Sequence, residues 1–380
     1  MRKLFYLAAV LLVLFELANV WFIMPLPFSQ RMQSIDVAYQ LHVLRWIIRG
    51  VLGAVMLATL SQAWQPRGWR RGLVPLAVAV VALVTYATNF VMAADQMFVA
   101  PASLSMQPAS RNVVDTNRLV VGIEVNGEAR AYPVQFIGYH HQVRDTVAGK
   151  PVMVSFCTVC RTGRVFDPVV DGSEERFRLV GMDHFNAMFE DATTKSWWRQ
   201  ANGEAIAGPR AGKTLAEIPS RQVTLAQWLA LHPASLIMQP DSALSSHYSQ
   251  SFDFETGASR GTLTGTDTVS WRDKAWVVGI TTAGRSRAYD WNRLRREGVI
   301  NDVIGDVPIV LALAGDRASF FAFVRPDAAT RFTLRGDSLV AGARTYALTG
   351  VGAEGRLQAV NASQEFWHSW RTFQPQTSRY

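Results

Sequence analysis

The sequence predicts an α+β fold, mainly antiparallel β, built from two related repeats of one domain and preceded by three transmembrane helices. Three observations carry this reading. The first hundred residues hold three long apolar segments, the remainder is dominated by short β-branched runs punctuated by turns, and one phrase recurs at a constant spacing.

The apolar segments are Leu4 to Phe28, His42 to Leu60 and Leu73 to Ala93, each near the ~20 residues that cross a hydrocarbon core. Arg2 and Lys3 give the first segment a signal-like lead. Its apolar run is longer than a signal core, however, and ends in Trp21, Phe22, Pro25, Pro27 and Phe28 without a small-x-small site, so a retained helix is expected. Arg45 and Arg49 interrupt the second segment near one end, where long side chains reach the interface. The connector from Ser61 to Gly72 carries Arg67, Arg70 and Arg71, and with the basic N-terminus it is expected on the cytoplasmic side. The expected address is the inner (cytoplasmic) membrane, multi-pass, the lipid bilayer being the one partner implied. The large C-terminal domain then lies in the periplasm or outside the cell, where thiols can be oxidised.

Charge supports that division. The formal net charge is +8, of which residues 1–110 contribute +5; over the rest, basic and acidic side chains are interleaved. No basic stripe emerges, so nucleic-acid binding is not expected. No GxSxG, Walker or dinucleotide fingerprint points to hydrolase or nucleotide chemistry.

Residues 1–94 therefore read as the membrane region and 95–111, rich in Ala, Ser and Pro, as a tether. Val121-Gly122-Ile123 with Arg130-Ala131-Tyr132 recurs as Val278-Gly279-Ile280 with Arg287-Ala288-Tyr289; Gly122 and Gly279 stand 157 positions apart, as do Tyr132 and Tyr289. Asp145 and Asp302 keep the spacing, and Trp228 with Pro233 matches Trp370 with Pro375. The first repeat is assigned to 112–240, a linker to 241–269, and the second repeat to 270–380. Leu119 to Val125 and Glu128 to Tyr132 flank Asn126-Gly127, the signature of a tight hairpin. Val152 to Phe156 and Arg164 to Asp167 read as strands. Leu225 to Leu231 and Gln364 to Phe373 read as short amphipathic helices.

The only two cysteines, Cys157 and Cys160, lie between the strands in VMVSFCTVCRTGRVFD. Arg161-Thr162-Gly163-Arg164 after them reads as turn and strand, which disfavours a thioredoxin-like helix start and resembles a knuckle presenting two thiolates to one metal. His140, His141, His184 and Met182 are the candidates to complete a ligand set, and thiolate, imidazole and thioether favour copper, zinc or iron over hard cations. Thiol–disulfide chemistry and a purely structural cysteine pair stay open beside it. If His140 and His141 lie on a strand they face opposite ways, so at most one meets the cysteines. His184 beside Asp183 fits a hydrogen-bonded structural histidine, Met182 fits core filler, and Arg161 and Arg164 at a strand end are expected to face water. The second repeat has Ala314 and Arg317 where the first has the cysteines, and Glu297 and Gly298 where it has the histidines. The scaffold thus does not require the ligand-type residues.

Arg130-Ala131-Tyr132-Pro133, His140 with Asp145, Gly149-Lys150-Pro151-Val152, Phe156 to Cys160, Gly181, Asp191 to Trp197, Gln200, Gly203 to Gly208 and Trp228 with His232-Pro233 together resemble the DUF3179 family. The resemblance covers about 112–240 strongly and the second repeat more loosely. It implies a domain identity and no catalytic role. Where the family turn is Cys-Pro-Leu-Cys this chain has Cys-Thr-Val-Cys, and where the family has His-Glu it has His140-His141.

Overall fold

The computed structural model describes residues 1–65 and 68–380, so Arg67 of the basic connector lies outside the described residues. The chain opens with α1 (Arg2–Trp21), α2 (Ile35–Trp64) and α3 (Leu73–Tyr86), followed by a short α4 (Ala94–Met97). Three helical stretches, Arg2–Trp21, Ile35–Trp64 and Trp69–Val91, are long and apolar enough to cross a membrane.

Next come β1 (Met106–Pro108), the hairpin β2 (Leu119–Val125) and β3 (Glu128–Pro133), α5 (Val134–His140), and the meander β4 (Gln142–Val147), β5 (Lys150–Cys157), β6 (Thr162–Phe166). Asn126 and Gly127 both have positive φ, 48° and 84°, as a two-residue hairpin turn requires. The short pair β7 (Val169–Val170) and β8 (Ser173–Glu174) leads to the sheet β9 (Phe177–Asp183), β10 (Asn186–Asp191), β11 (Trp197–Arg199) and β12 (Ala205–Ala207). The first half closes with β13 (Arg221–Thr224), α6 (Leu225–Leu231) and β14 (Leu236–Met238).

After α7 (Asp253–Thr256) the second half runs β15 (Trp276–Thr282), β16 (Arg285–Asp290), α8 (Trp291–Glu297), β17 (Val299–Ile304), β18 (Val307–Leu313) and β19 (Phe320–Val324). A small sheet follows, β20 (Thr333–Arg335), β21 (Ser338–Ala341), β22 (Arg344–Ala347), β23 (Val351–Gly352) and β24 (Gly355–Arg356). The chain then reaches β25 (Ala362–Phe366), α9 (Trp367–Phe373) and β26 (Ser378–Arg379). The helix expected from Gln364 starts at Trp367 because Ala362 to Phe366 pair antiparallel with β15.

The chain folds into two compact units. The first holds residues 1–99, 176–199 and 204–213; the second holds 100–175, 200–203 and 214–380. In the first unit Phe5, Ala8, Leu12 and Phe15 of α1 pack with Met56 and Ala63 of α2 and Val74 of α3. The sheet β12-β11-β10-β9 buries Val180, Met188 and Trp197 against Ala38 and Tyr39.

In the second unit the sheets β1-β14-β3-β2-β13 and β4-β5-β6 belong to the first half, and β25-β15-β16-β26 and β17-β18-β19 to the second. Pairing is antiparallel except for β14 with β3 and β16 with β26. Gly122 and Gly279 make room for an indole in each half: a Cβ there would come within 2.4 Å of Trp228 and 2.1 Å of Trp370. The stretch expected to be a free tether supplies β1, which pairs with β14 while Leu104 and Met106 pack on the core. The 241–269 stretch is likewise docked: Tyr248 and Glu255 are buried, and Glu255 takes a 2.8 Å ion pair from Arg118.

Candidate thiol site

Strand β5 ends at Cys157, which pairs across the hairpin with Thr162, leaving Thr158 to Arg161 as the turn. Both cysteines are completely buried, and no disulfide is formed among the described residues. The enclosure comes from the other half of the chain. Phe366 N–H, at the end of β25, donates to the Cys160 carbonyl at 3.0 Å. Lys274 Nζ donates to the carbonyls of Val159 and Leu263, each at 2.6 Å, and His368 Nε2 lies 3.2 Å from the Val159 carbonyl.

Electrostatics follow from this burial. Desolvation pushes the Cys160 thiol well above its ordinary pKa, and the neighbouring Cys157 thiol, hydrogen-bonded to it, adds to the rise; a hydrogen bond with Ser369 and the Lys274 charge oppose it more weakly. Burial pushes Lys274 down, against which the two cysteines are the foremost stabilising partners. His368 is lowered to about 4, first by burial and then by Lys274. At neutral pH the site therefore presents a protonated Cys160 thiol and a neutral His368 imidazole beside Lys274.

A polar wall stands beside the thiols. Glu365, buried on β25, takes an ion pair from Arg164 and hydrogen bonds from Thr162 at 3.2 Å and from Ser363 and Ser369 at 3.0 Å each. Arg161 points inward too. Its Nε donates to Gln364 Oε1 at 2.9 Å and its Nη1 to the Phe254 carbonyl at 2.7 Å, while its guanidinium sits 3.8 Å from the Trp276 ring centroid and 4.9 Å from that of Phe254. Burial lowers Arg161 to about 9. Neither arginine faces water as the strand-end position suggested, because the second half supplies a carboxylate to one, and its Trp276 with Phe254 of the preceding linker gives an aromatic sandwich to the other.

The remaining sequence candidates are placed differently from the expectation. His140 ends α5 rather than lying on a strand, and its Nε2 is 2.8 Å from the Tyr248 hydroxyl. His141 is the left-handed cap of that helix at φ 61°, the position that Gly298 fills after α8. Its Nδ1 lies 3.0 Å from the Tyr139 carbonyl, and burial lowers it to about 4. Met182 and His184 belong to the first compact unit, whereas Cys157 and Cys160 belong to the second. There the Met182 N–H donates to the Ile23 carbonyl at 2.7 Å, and His184 Nδ1 sits 2.6 Å from Asp183, which also pairs with Arg199. Among the described residues, no group of three or more His, Cys, Asp or Glu is arranged to hold a metal ion. Of the six candidates, the two cysteines are the pair brought together as neighbouring donors.

Lys274, Glu365, His368 and Ser369 escaped the sequence reading, since they lie more than a hundred positions from the cysteines. The signal available was Ser363 to Trp370, a run in which a carboxylate, an imidazole and hydroxyls interrupt aromatic residues, unlike the matching end of the first half.

Fold and site together define a chain with three apolar helices and a β-rich module that encloses a thiol pair with its own second half. Residues 99–377 match the family described as "Protein of unknown function (DUF3179)", and the chain belongs to that family. No curated protein and no solved structure matches it.

Proposed function

We propose that this protein is a membrane-anchored, extracytoplasmic metal-binding protein whose donors are the thiolates of Cys157 and Cys160. The observation that carries the reading is a pair of hydrogen-bonded thiols held at one buried hairpin with the Lys274 ammonium beside them. Two thiolates without a third donor leave zinc short of its usual four ligands, whereas a soft monovalent ion is satisfied by sulfur at low coordination number. Copper(I) is the ion this donor count favours. Binding it releases two thiol protons and leaves one net negative charge on the bis-thiolate, which the Lys274 ammonium balances. His140, His141, His184 and Met182 are not needed as ligands in this reading. The raised thiol speaks against a resting thiol–disulfide nucleophile, which needs a stabilised thiolate.

We also infer that the two halves are copies of one ancestral domain, of which the first kept the donors. Both run strand-strand-helix-strand-strand-strand and end strand-helix-strand. Tyr132 bonds Asp145 at 2.8 Å where Tyr289 bonds Asp302 at 2.9 Å. Each half also closes the other's hairpin turn: Phe366 N–H reaches the Cys160 carbonyl, and Thr224 N–H reaches Ser319 Oγ at 2.9 Å.

The test is a titration of the reduced, detergent-purified full chain with copper(I) in competition with a chromophoric chelator. One equivalent is expected to bind, Cys157→Ser and Cys160→Ser are expected to abolish binding, and Lys274→Met is expected to weaken it at least tenfold with the fold retained. Equal binding by wild type and the double serine variant would remove the proposal.

A further inference from the structure

The first compact unit contains a second feature that the thiol site does not use. At one end of the helix bundle lies a cavity of about 410 Å³. Val20, Ile23, Met24 and Phe90 give it an apolar wall, and His42, Arg45, Asn89, Asp95 and Arg178 a polar one. Its level follows from helix length. The 30 residues of α2 span about 45 Å, more than the ~30 Å hydrocarbon core, so the first turns of α2 project beyond it and Arg45, ten residues in, stands near the boundary. Asn19 and Val20 at the end of α1 and Thr88 and Asn89 at the end of the third stretch share that level.

The charges beneath and beside the cavity are fixed by partners. Glu16, 1% exposed, takes Arg49 at 2.6 and 2.8 Å and Asn89 at 3.0 Å, forming a closed floor. Behind the wall, buried Glu190 takes His42 at 2.9 Å and Arg178 at 2.8 Å, and Arg178 reaches Asp95 at 3.2 Å. Arg45 is different: it donates to the carbonyl of His42 in its own helix, and among the described residues no carboxylate forms an ion pair with it. Asp95 is a rim carboxylate, about one-third exposed. Histidine aside, Arg45, Arg49 and Arg178 equal Glu16, Asp95 and Glu190 in number, so the cavity and its surround offer separated charges of both signs.

We propose that this cavity binds the headgroup of a zwitterionic phospholipid carrying a primary amine. Arg45 takes the phosphodiester, Asp95 takes the ammonium, and the apolar wall takes the first acyl carbons. A net anion finds no surplus arginine or lysine here, and a quaternary ammonium lacks an aromatic cage, Phe90 being the one Phe, Tyr or Trp among the described lining residues. Ionisable side chains at membrane level are expensive to keep, which is the physical reason to look for their ligand.

The experiment delipidates the detergent-purified full chain, offers it equal amounts of phosphatidylethanolamine, phosphatidylcholine and phosphatidylglycerol in mixed micelles, and counts retained lipid by native mass spectrometry. At least tenfold enrichment of phosphatidylethanolamine is expected. Arg45→Gln should abolish retention and Asp95→Asn should remove the preference over phosphatidylcholine, with unchanged thermal unfolding of Asp95→Asn as the check on folding. Equal retention of the three lipids, preference for phosphatidylglycerol, retention unaffected by both substitutions, or displacement by equimolar soluble phosphoethanolamine would each overturn the assignment.

Discussion

Replacing Glu365 by Gln tests whether the two halves are held together by the buried charge beside the thiols. The carboxylate receives Arg164, Thr162, Ser363 and Ser369, and both Glu365 and Arg164 are almost wholly buried. Removing one member of such a pair costs about 3–5 kcal/mol, because the other charge stays buried without its counter-ion. Glu217, 3.6 Å from Arg164 and about one-third exposed, offers a weaker fallback, so the lower end, about 3 kcal/mol, is expected. For a unit of this size that corresponds to a fall in Tm of roughly 6–12 °C. The assay is thermal unfolding of the detergent-solubilised chain followed by near-ultraviolet circular dichroism. The double variant Arg164→Met with Glu365→Leu should recover more than half of the loss, since no charge remains buried. A single variant within 2 °C of wild type, or a double variant no better than the single, would refute the reasoning.

Other outcomes follow from the same geometry. His141 and His368 are both lowered to about 4, so the unfolded chain binds more protons between there and pH 6.5. Stability should be complete above about pH 7 and decline as pH falls toward 4, by up to about 3 kcal/mol for each histidine, and denaturant midpoints of His368→Gln should show roughly half the decline. Gly279→Ala places a methyl where the Trp370 ring stands and is expected to cost about 3 kcal/mol, with Gly122→Ala comparable through Trp228; urea midpoints measure both. Cys157 and Cys160 should resist maleimide in the native protein and both react in guanidinium, as mass spectrometry would record; fast native labelling would contradict their enclosure.

Much of the backbone was legible because its cues are local. Asn126-Gly127 specifies a hairpin, the β-branched run before Cys157 a strand, and the apolar segments their helices. The thiol site was only half legible. Its hairpin lies within one short stretch, but its carboxylate and hydroxyl are brought by a strand and a helix two hundred residues away and its lysine by a turn more than a hundred away, and no periodicity encodes that meeting. His141 misled for a related reason: a histidine in a left-handed helix cap looks, in sequence, like the next residue of a strand. Arg161 and Arg164 misled because burial of a guanidinium depends on partners supplied from elsewhere in the fold. The docked 95–111 stretch looked like a tether because three residues of edge strand leave little pattern.

The hydrogen bond from Phe366 to Cys160 also sets an order of events during synthesis. A chain threaded from its N-terminus delivers the cysteines some two hundred residues before the segment that covers them. At roughly 5–20 residues per second, that leaves on the order of ten seconds or more in which the thiols stand open to oxidants and metal donors. The covering segment, once delivered, ends that interval, so oxidants and metal donors reach the pair most readily while the protein is being made.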